Sequence, residues 1–210
     1  PGEGNQSFPR NSLNLGPERG NSDFDVRHRL VMNYSWQLPF GRGAKHWSEG
    51  ALGKVLEGWD VSGISTFSSG LPYDIFTNVD TQHTGFPARP DYNASATVTP
   101  SVNPRTQTGP LVAYFSVPAF GSAGNIGRNV FRGPGIKNTD FVTTKRISIS
   151  ERTRLDLRFE FYNLFNRVQF NQPDNLIADG PGFGQSTSEL IRPDFTTGAR
   201  QIQLALKLTF

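Results

Sequence analysis

Residues 152–165, RTRLDLRFEFYNLF, constrain the fold more than any other stretch of the chain. Leu155, Leu157, Phe159 and Phe161 share one parity, and Arg154, Asp156, Arg158 and Glu160 share the other. At the 180° step of a strand, four apolar side chains fall on one face and four charges on the opposite face. At 100° per residue the two sets interleave around the cylinder and no apolar stripe forms. The sequence therefore predicts a strand with one greasy face and one charged face. Its charges alternate in sign, as suits a polar surface where neighbouring strands supply partners.

The last residues repeat the pattern. Ile202, Leu204, Leu206, Leu208 and Phe210 alternate with Gln201, Gln203, Ala205, Lys207 and Thr209. A third example is 29–38, where Leu30, Met32, Tyr34, Trp36 and Leu38 alternate with Val31, Asn33, Ser35 and Gln37. Weaker strands are predicted over 58–69, where Gly63 and Ser65 dilute the parity of Trp59, Val61 and Phe67, and over 72–78 and 138–149. Six strands result. Residues 69–72 and 150–152 read as tight turns, and 39–57, 79–136 and 166–199 as long connections rich in Gly, Pro, Asn and Thr.

A compact soluble domain rarely contains structureless connections of that length. Outer-membrane barrels do, because short periplasmic turns alternate with long outer loops. With Phe210 at the periplasmic side, the six-strand zigzag puts both tight turns there and all three long loops outside. Trp36 and Trp59 then share the outer level. Aromatic rings with polar edges favour the membrane–water boundary, so Trp36, Trp59, Phe165 and Phe210 are assigned to an aromatic girdle. Leu30, Met32, Tyr34, Trp36, Leu155, Leu157, Phe159 and Phe161 are expected to face lipid. Arg154, Asp156, Arg158, Glu160 and Lys207 are expected to face the lumen. A soluble β-sandwich also alternates, but an apolar strand ending on Phe210 contrasts with the polar, frayed ends usual in soluble proteins.

Composition agrees with β structure: 22 Gly, 15 Pro and 17 Phe against a single Met. No window of about 18 apolar residues exists, which excludes a membrane-spanning helix, but a transmembrane strand needs only about 10 residues. The mean hydropathy of −0.45 is uninformative for the same reason. The net charge of +3 is spread among acids, with no basic stripe to read nucleic acid. The chain starts at Pro1 without Met or a signal segment, so a fragment is expected: 1–24 as an outer loop or incomplete preceding segment, 25–210 as the C-terminal part of a barrel. The expected fold is all-β, an antiparallel transmembrane barrel segment of about six strands from a larger barrel.

Several linking motifs carry a family likeness. They are DVRHRLVMNYSWQLPFGRG at 25–43, LEGWDVSGI at 56–64, SGLP at 69–72, GNIGRNVFRGPG at 124–135, FEFYNLFN at 159–166 and ARQIQLALKLTF at 199–210. In this order they resemble the barrel strands of Oar-like TonB-dependent receptors, the acidobacterial type with a carboxypeptidase-regulatory-like N-terminal domain. The resemblance implies a barrel of about 22 strands, a plug domain, and import of a bulky nutrient driven by energy passed through TonB. Plug, TonB-contacting segment and regulatory-like domain have no counterpart in these 210 residues. Ile202, Leu204, Leu206, Leu208 and Phe210 resemble the terminal signal read by the barrel assembly machinery. The implied partners are outer-membrane lipid, the rest of the barrel and its plug, the TonB complex, that machinery and an extracellular ligand. A passive porin or adhesion barrel is the alternative. A soluble carbohydrate-binding protein, using Tyr73, Phe86, Tyr92, Tyr114 and Phe115, is a third reading.

No catalytic constellation stands out, and neither an enzyme nor a cofactor is expected. The chain has no Cys, which removes disulfides, thiolate zinc sites and thiol catalysis. His28, His46 and His83 have no metal-binding spacing and read as surface residues. Gly121, Gly124 and Gly127, like Gly180, Gly182 and Gly184, read as loop hinges. Asp23 with Asp25, or Asp174 with Asn175, gives an incomplete calcium pattern, and solvated loop acids are the better reading.

Overall fold

The structure is a computed structural model that describes residues 9–41, 46, 49–93, 114–191 and 198–210. In chain order its elements are β1 (Arg29–Gln37), α1 (Gly50–Leu56), β2 (Trp59–Ser68), β3 (Pro72–Tyr73), β4 (Asp91–Tyr92), β5 (Phe115–Ser116), β6 (Phe131–Arg132), β7 (Ile136–Ser148), β8 (Arg154–Tyr162) and β9 (Gln201–Thr209). They form two compact units interleaved along the sequence.

One unit, Arg29–Phe67 with Lys137–Val168 and Ile191–Phe210, holds a five-stranded sheet in the order β1-β2-β7-β8-β9. The three segments with the clearest alternation became β1, β8 and β9. β7 and β8 are antiparallel with Lys145 opposite Leu157, and β8 and β9 are antiparallel with Leu157 opposite Leu206. The β7–β8 hairpin is closed by Ile149 and Ser150 N–H groups donating to Thr153 O, with Ser150 Oγ accepting from Thr153 N–H. Between β1 and β2, Leu38 N–H donates to Trp59 O at 2.9 Å, an antiparallel register that places Tyr34 opposite Gly63. A Cβ on Gly63 would meet the Tyr34 hydroxyl, so the residue that diluted the sequence pattern leaves room for a ring.

The other unit, Pro1–His28 with Ser68–Ile136 and Gln169–Leu190, has its own core. Tyr73, Ile75, Phe115, Ile126, Ile177 and Phe183 are buried together, and Tyr92, Tyr114 and Phe131 pack against them. Rings meet edge to face, Phe115 on Phe183 at 5.5 Å and on Phe131 at 5.9 Å. β3 pairs with β6, and β4 with β5.

Two expectations change here. Residues 72–78 are not a strand of this sheet: Pro72 and Tyr73 pair with β6, Phe76 forms an isolated parallel bridge with Leu176, and Ile75, Phe76 and Thr77 are buried in the second unit. β2 therefore neighbours β7 directly, and the sheet has five strands rather than six. Removing one strand reverses the direction of everything before it. The 69–72 segment is then not a hairpin turn, and the β1–β2 connection shares a sheet end with the 149–153 turn and Phe210. The long β2–β7 and β8–β9 connections leave from the opposite end. So two long connections, not three, share a side, and Trp36 and Trp59 lie at the tight-turn end.

Candidate functional site

The sheet presents two chemically distinct faces, and the register of its ladders sorts every side chain onto one of them. On the first lie Leu155, Leu157, Phe159 and Phe161 of β8, opposite Leu208, Leu206, Leu204 and Ile202 of β9 in that order. Leu30, Met32, Tyr34 and Trp36 of β1 and Trp59, Val61 and Phe67 of β2 join them by parity. The edge rows are bare: Leu204 is 69% and Leu206 67% exposed, and Leu30, Met32, Tyr34 and Trp36 are exposed as well. The β8 row is half-buried. The rows of β1, β8 and β9 are apolar, whereas toward the middle of the sheet Thr143 and Lys145 of β7 share this face by register, as do Thr139 and Ser65, whose hydroxyls are bonded at 3.1 Å.

On the second face lie Arg154, Asp156, Arg158 and Glu160. Arg154 pairs with Asp156 at 3.2 Å, Arg158 with Glu160 at 2.5 Å, and Arg146 with Asp60 at 3.1 Å. Asp156 lies between Arg146 on β7 and Lys207 on β9 in the ladder, a carboxylate between two cations. Tyr162 Oη donates to Glu160 at 2.6 Å. The sign alternation seen in the sequence is thus matched by partners on the same strand and across strands.

β8 ends in the FEFYNLFN motif, whose asparagines explain its form. Asn163 and Asn166 both take positive φ, 51° and 50°, a conformation Asn tolerates better than most residues. Asn163 Nδ2 donates to Arg167 O and Gly198 O, and Asn166 Oδ1 accepts from Arg200 N–H at 2.9 Å. The motif stops one strand and fixes the start of the next. Phe165, 65% exposed, follows this stop.

In the loop unit, an ion-pair cluster joins the segment before β1 to the β2–β7 connection. The buried Arg89 guanidinium contacts Glu18 at 2.8 Å and Asp74 at 3.4 Å. Arg10 stacks over Phe76, 4.4 Å from its centroid. Burial and the Arg89 charge pull Arg10 down to about 10, so it stays a cation at neutral pH. The GNIGRNVFRGPG motif supplies most of the remaining ties. Asn125 accepts from Tyr92 N–H at 2.7 Å, Ile126 enters the core, Arg128 pairs with Asp23 and Arg132 pairs with Asp25. Asn129, fully buried, donates its N–H to Asp74 Oδ1 at 2.6 Å and its side-chain amide to Asn21 O at 2.8 Å.

The rings offered for carbohydrate binding do other work. Tyr73 and Phe115 are core residues, Tyr92 and Tyr114 pack against the core, and Phe86 is half-buried. Burial pushes the Tyr73 phenol above its ordinary value. Asp23 and Asp25 are held by arginines, Asp174 Oδ1 accepts from Leu176 N–H, and Asn175 donates to Asp74 O. The side-chain hydrogen bond and charge of Asp174 raise the Asp179 carboxyl above its ordinary value. No group of three or more His, Asp or Glu among the described residues could hold a metal ion. Sequence reasoning missed Lys145, whose parity with Ile147 and Phe141 places it on the apolar face.

A family model for an outer membrane beta barrel domain matches residues 1–203. The chain belongs to this outer-membrane β-barrel family. It resides in the outer membrane of a Gram-negative bacterium, which removes the soluble carbohydrate-binding reading. No curated protein and no solved structure matches the chain. No helix among the described residues is long and apolar enough to cross a membrane, and a barrel crosses with strands instead.

Proposed function

We propose that this barrel protein is a TonB-dependent transporter that imports a bulky nutrient. The apolar face of the sheet meets lipid, the ion-paired face lines the lumen, and the end bearing the 149–153 turn and Phe210 is periplasmic. Five strands leave two open edges, which lipid does not tolerate, so further strands complete the wall. The observation that carries the reading is the loop unit. The segment before β1 and the two long connections build a cored, ion-paired body rather than loose loops. An ordered body of this size suits recognition of a specific extracellular ligand. The motif series resembling Oar-like receptors supports the same reading, as does the resemblance of β9 to the signal read by the barrel assembly machinery.

A passive porin or adhesion barrel is the competing function, and a plug separates them. Full-length protein in a planar bilayer is expected to show no steady conductance until denaturant displaces the plug, and to bind the purified periplasmic domain of TonB. A steadily open channel, or failure to bind that domain, overturns the reading.

A further inference from the structure

Lys145 is the anomaly of the barrel wall. It lies on the apolar face, opposite Leu157 of β8, and Leu157 is in turn opposite Leu206 of β9. Yet it is 7% exposed, and among the described residues no carboxylate pairs with it within ion-pair distance. Its Nζ donates instead to three backbone carbonyls, Lys54 O at 3.1 Å, Val55 O at 2.7 Å and Glu57 O. These are the last carbonyls of α1 and the residue after it, which lack partners inside the helix and carry its negative dipole end. The Trp59 ring lies 5.6 Å from the same ammonium, and Trp59 Nε1 donates to Val55 O at 2.9 Å. Trp59 also stacks with Phe159, a member of the apolar row, at 6.3 Å.

These contacts fix where α1 is. It does not hang below the sheet as a free turn; its C-terminal end is fastened onto the apolar face by a lysine and an indole. The exposed side of the helix carries Ala51 and Val55, one turn apart, with Lys54 beside them. Val55 is 64% exposed. Apolar groups flanked by a cation, on a helix fastened to the apolar face of the sheet, match the membrane–water boundary in chemistry.

We infer that α1 is an interfacial helix, held on the outside of the barrel by Lys145 and Trp59 and seated among the phospholipid headgroups of the periplasmic leaflet. The inference rests on the assignment of the apolar face to lipid. It also explains how a lysine is tolerated there: its charge is spent on helix-end carbonyls near the boundary rather than exposed to acyl chains.

The chain contains no Cys, so single-cysteine spin labels at Val55→Cys and Leu206→Cys can be introduced into the full-length protein, provided any cysteines elsewhere in it are removed. After reconstitution in phospholipid vesicles, collision rates with oxygen and with a water-soluble nickel chelate report depth. Both labels are expected to favour oxygen, Leu206→Cys more strongly. A Val55→Cys label that favours nickel while Leu206→Cys favours oxygen overturns the interfacial helix and leaves the barrel wall intact. Nickel preference at both positions overturns the wall assignment itself. In the Val55→Cys background, Lys145→Met is expected to sharpen the spectrum and raise nickel collisions several-fold as α1 is released. An unchanged spectrum overturns the role of the ammonium.

Discussion

Arginine placed along β9 reads the two faces directly. The nine residues Gln201–Thr209, at about 3.3 Å rise and about 40° tilt, span roughly 23 Å, close to the apolar band of about 25 Å. Leu204 and Leu206 flank the middle of that span, one residue to either side, and Leu208 is one residue from its turn end. A lipid-facing arginine costs about 2–4 kcal/mol at the midplane and about 0–1 near the interface. Leu204→Arg and Leu206→Arg should therefore each lower the folding equilibrium constant by roughly 30- to 700-fold, and Leu208→Arg little. Gln203→Arg is the matched control: same depth, opposite face, and opposite Glu160 in the ladder. It should be close to neutral. The assay is equilibrium unfolding of the full-length protein in vesicles by urea, followed by loss of heat-modifiable mobility. A flat profile across the three leucines, or equal costs at Leu204 and Gln203, would refute the assignment of faces.

Other perturbations test the remaining structure. Gly63→Val would drive a side chain into the Tyr34 hydroxyl and the Asp140 carbonyl; it should lower stability by about 1–3 kcal/mol in the same unfolding assay. Asp74→Ala strips the carboxylate from Arg89, Arg10 and Asn129, and loss of one partner from a buried ion pair costs about 3–5 kcal/mol. Proteolysis of the loop unit should accelerate while the heat-modifiable barrel persists. At Asp80, desolvation would raise the carboxyl, but the N–H groups of Gly85, Thr84 and Gln82 and the nearby His83 outweigh it, and the group sits below 3.8. A depressed folded-state value stabilises above the ordinary value and is lost as pH falls through the lower one. Amide protection at Gln82, Thr84 and Gly85 should thus fade as pH falls below the ordinary carboxylate value, and Asp80→Asn should abolish that dependence.

Where alternation was strict, the sheet was legible. β1, β8 and β9 lie within three residues of the expected segments because only a period of two separates their apolar and polar sets. The 72–78 segment misled because Ile75 and Phe76 are apolar neighbours destined for a globular core, where burial needs no alternation. That single added strand inverted the placement of the β1–β2 connection, since every strand reverses direction. The 79–136 connection read as structureless because its order comes from pairings distant in sequence. Arg89 reaches back to Glu18, and Arg132 to Asp25. Local propensity does not report such pairs. Lys145 was legible only as a polar residue weakening a strand; its three carbonyl partners come from a helix about 90 residues earlier.

The long reach of those pairings bears on how the protein is made. Asp74 and Asn175 are bonded across 101 residues, and Arg132 and Asp25 across 107. Closing spans of that length is slow, and the shared core draws Ile177 and Phe183 from the last segment. The pairings of this unit can therefore be completed only once its last segment, Gln169–Leu190, has joined the two earlier ones.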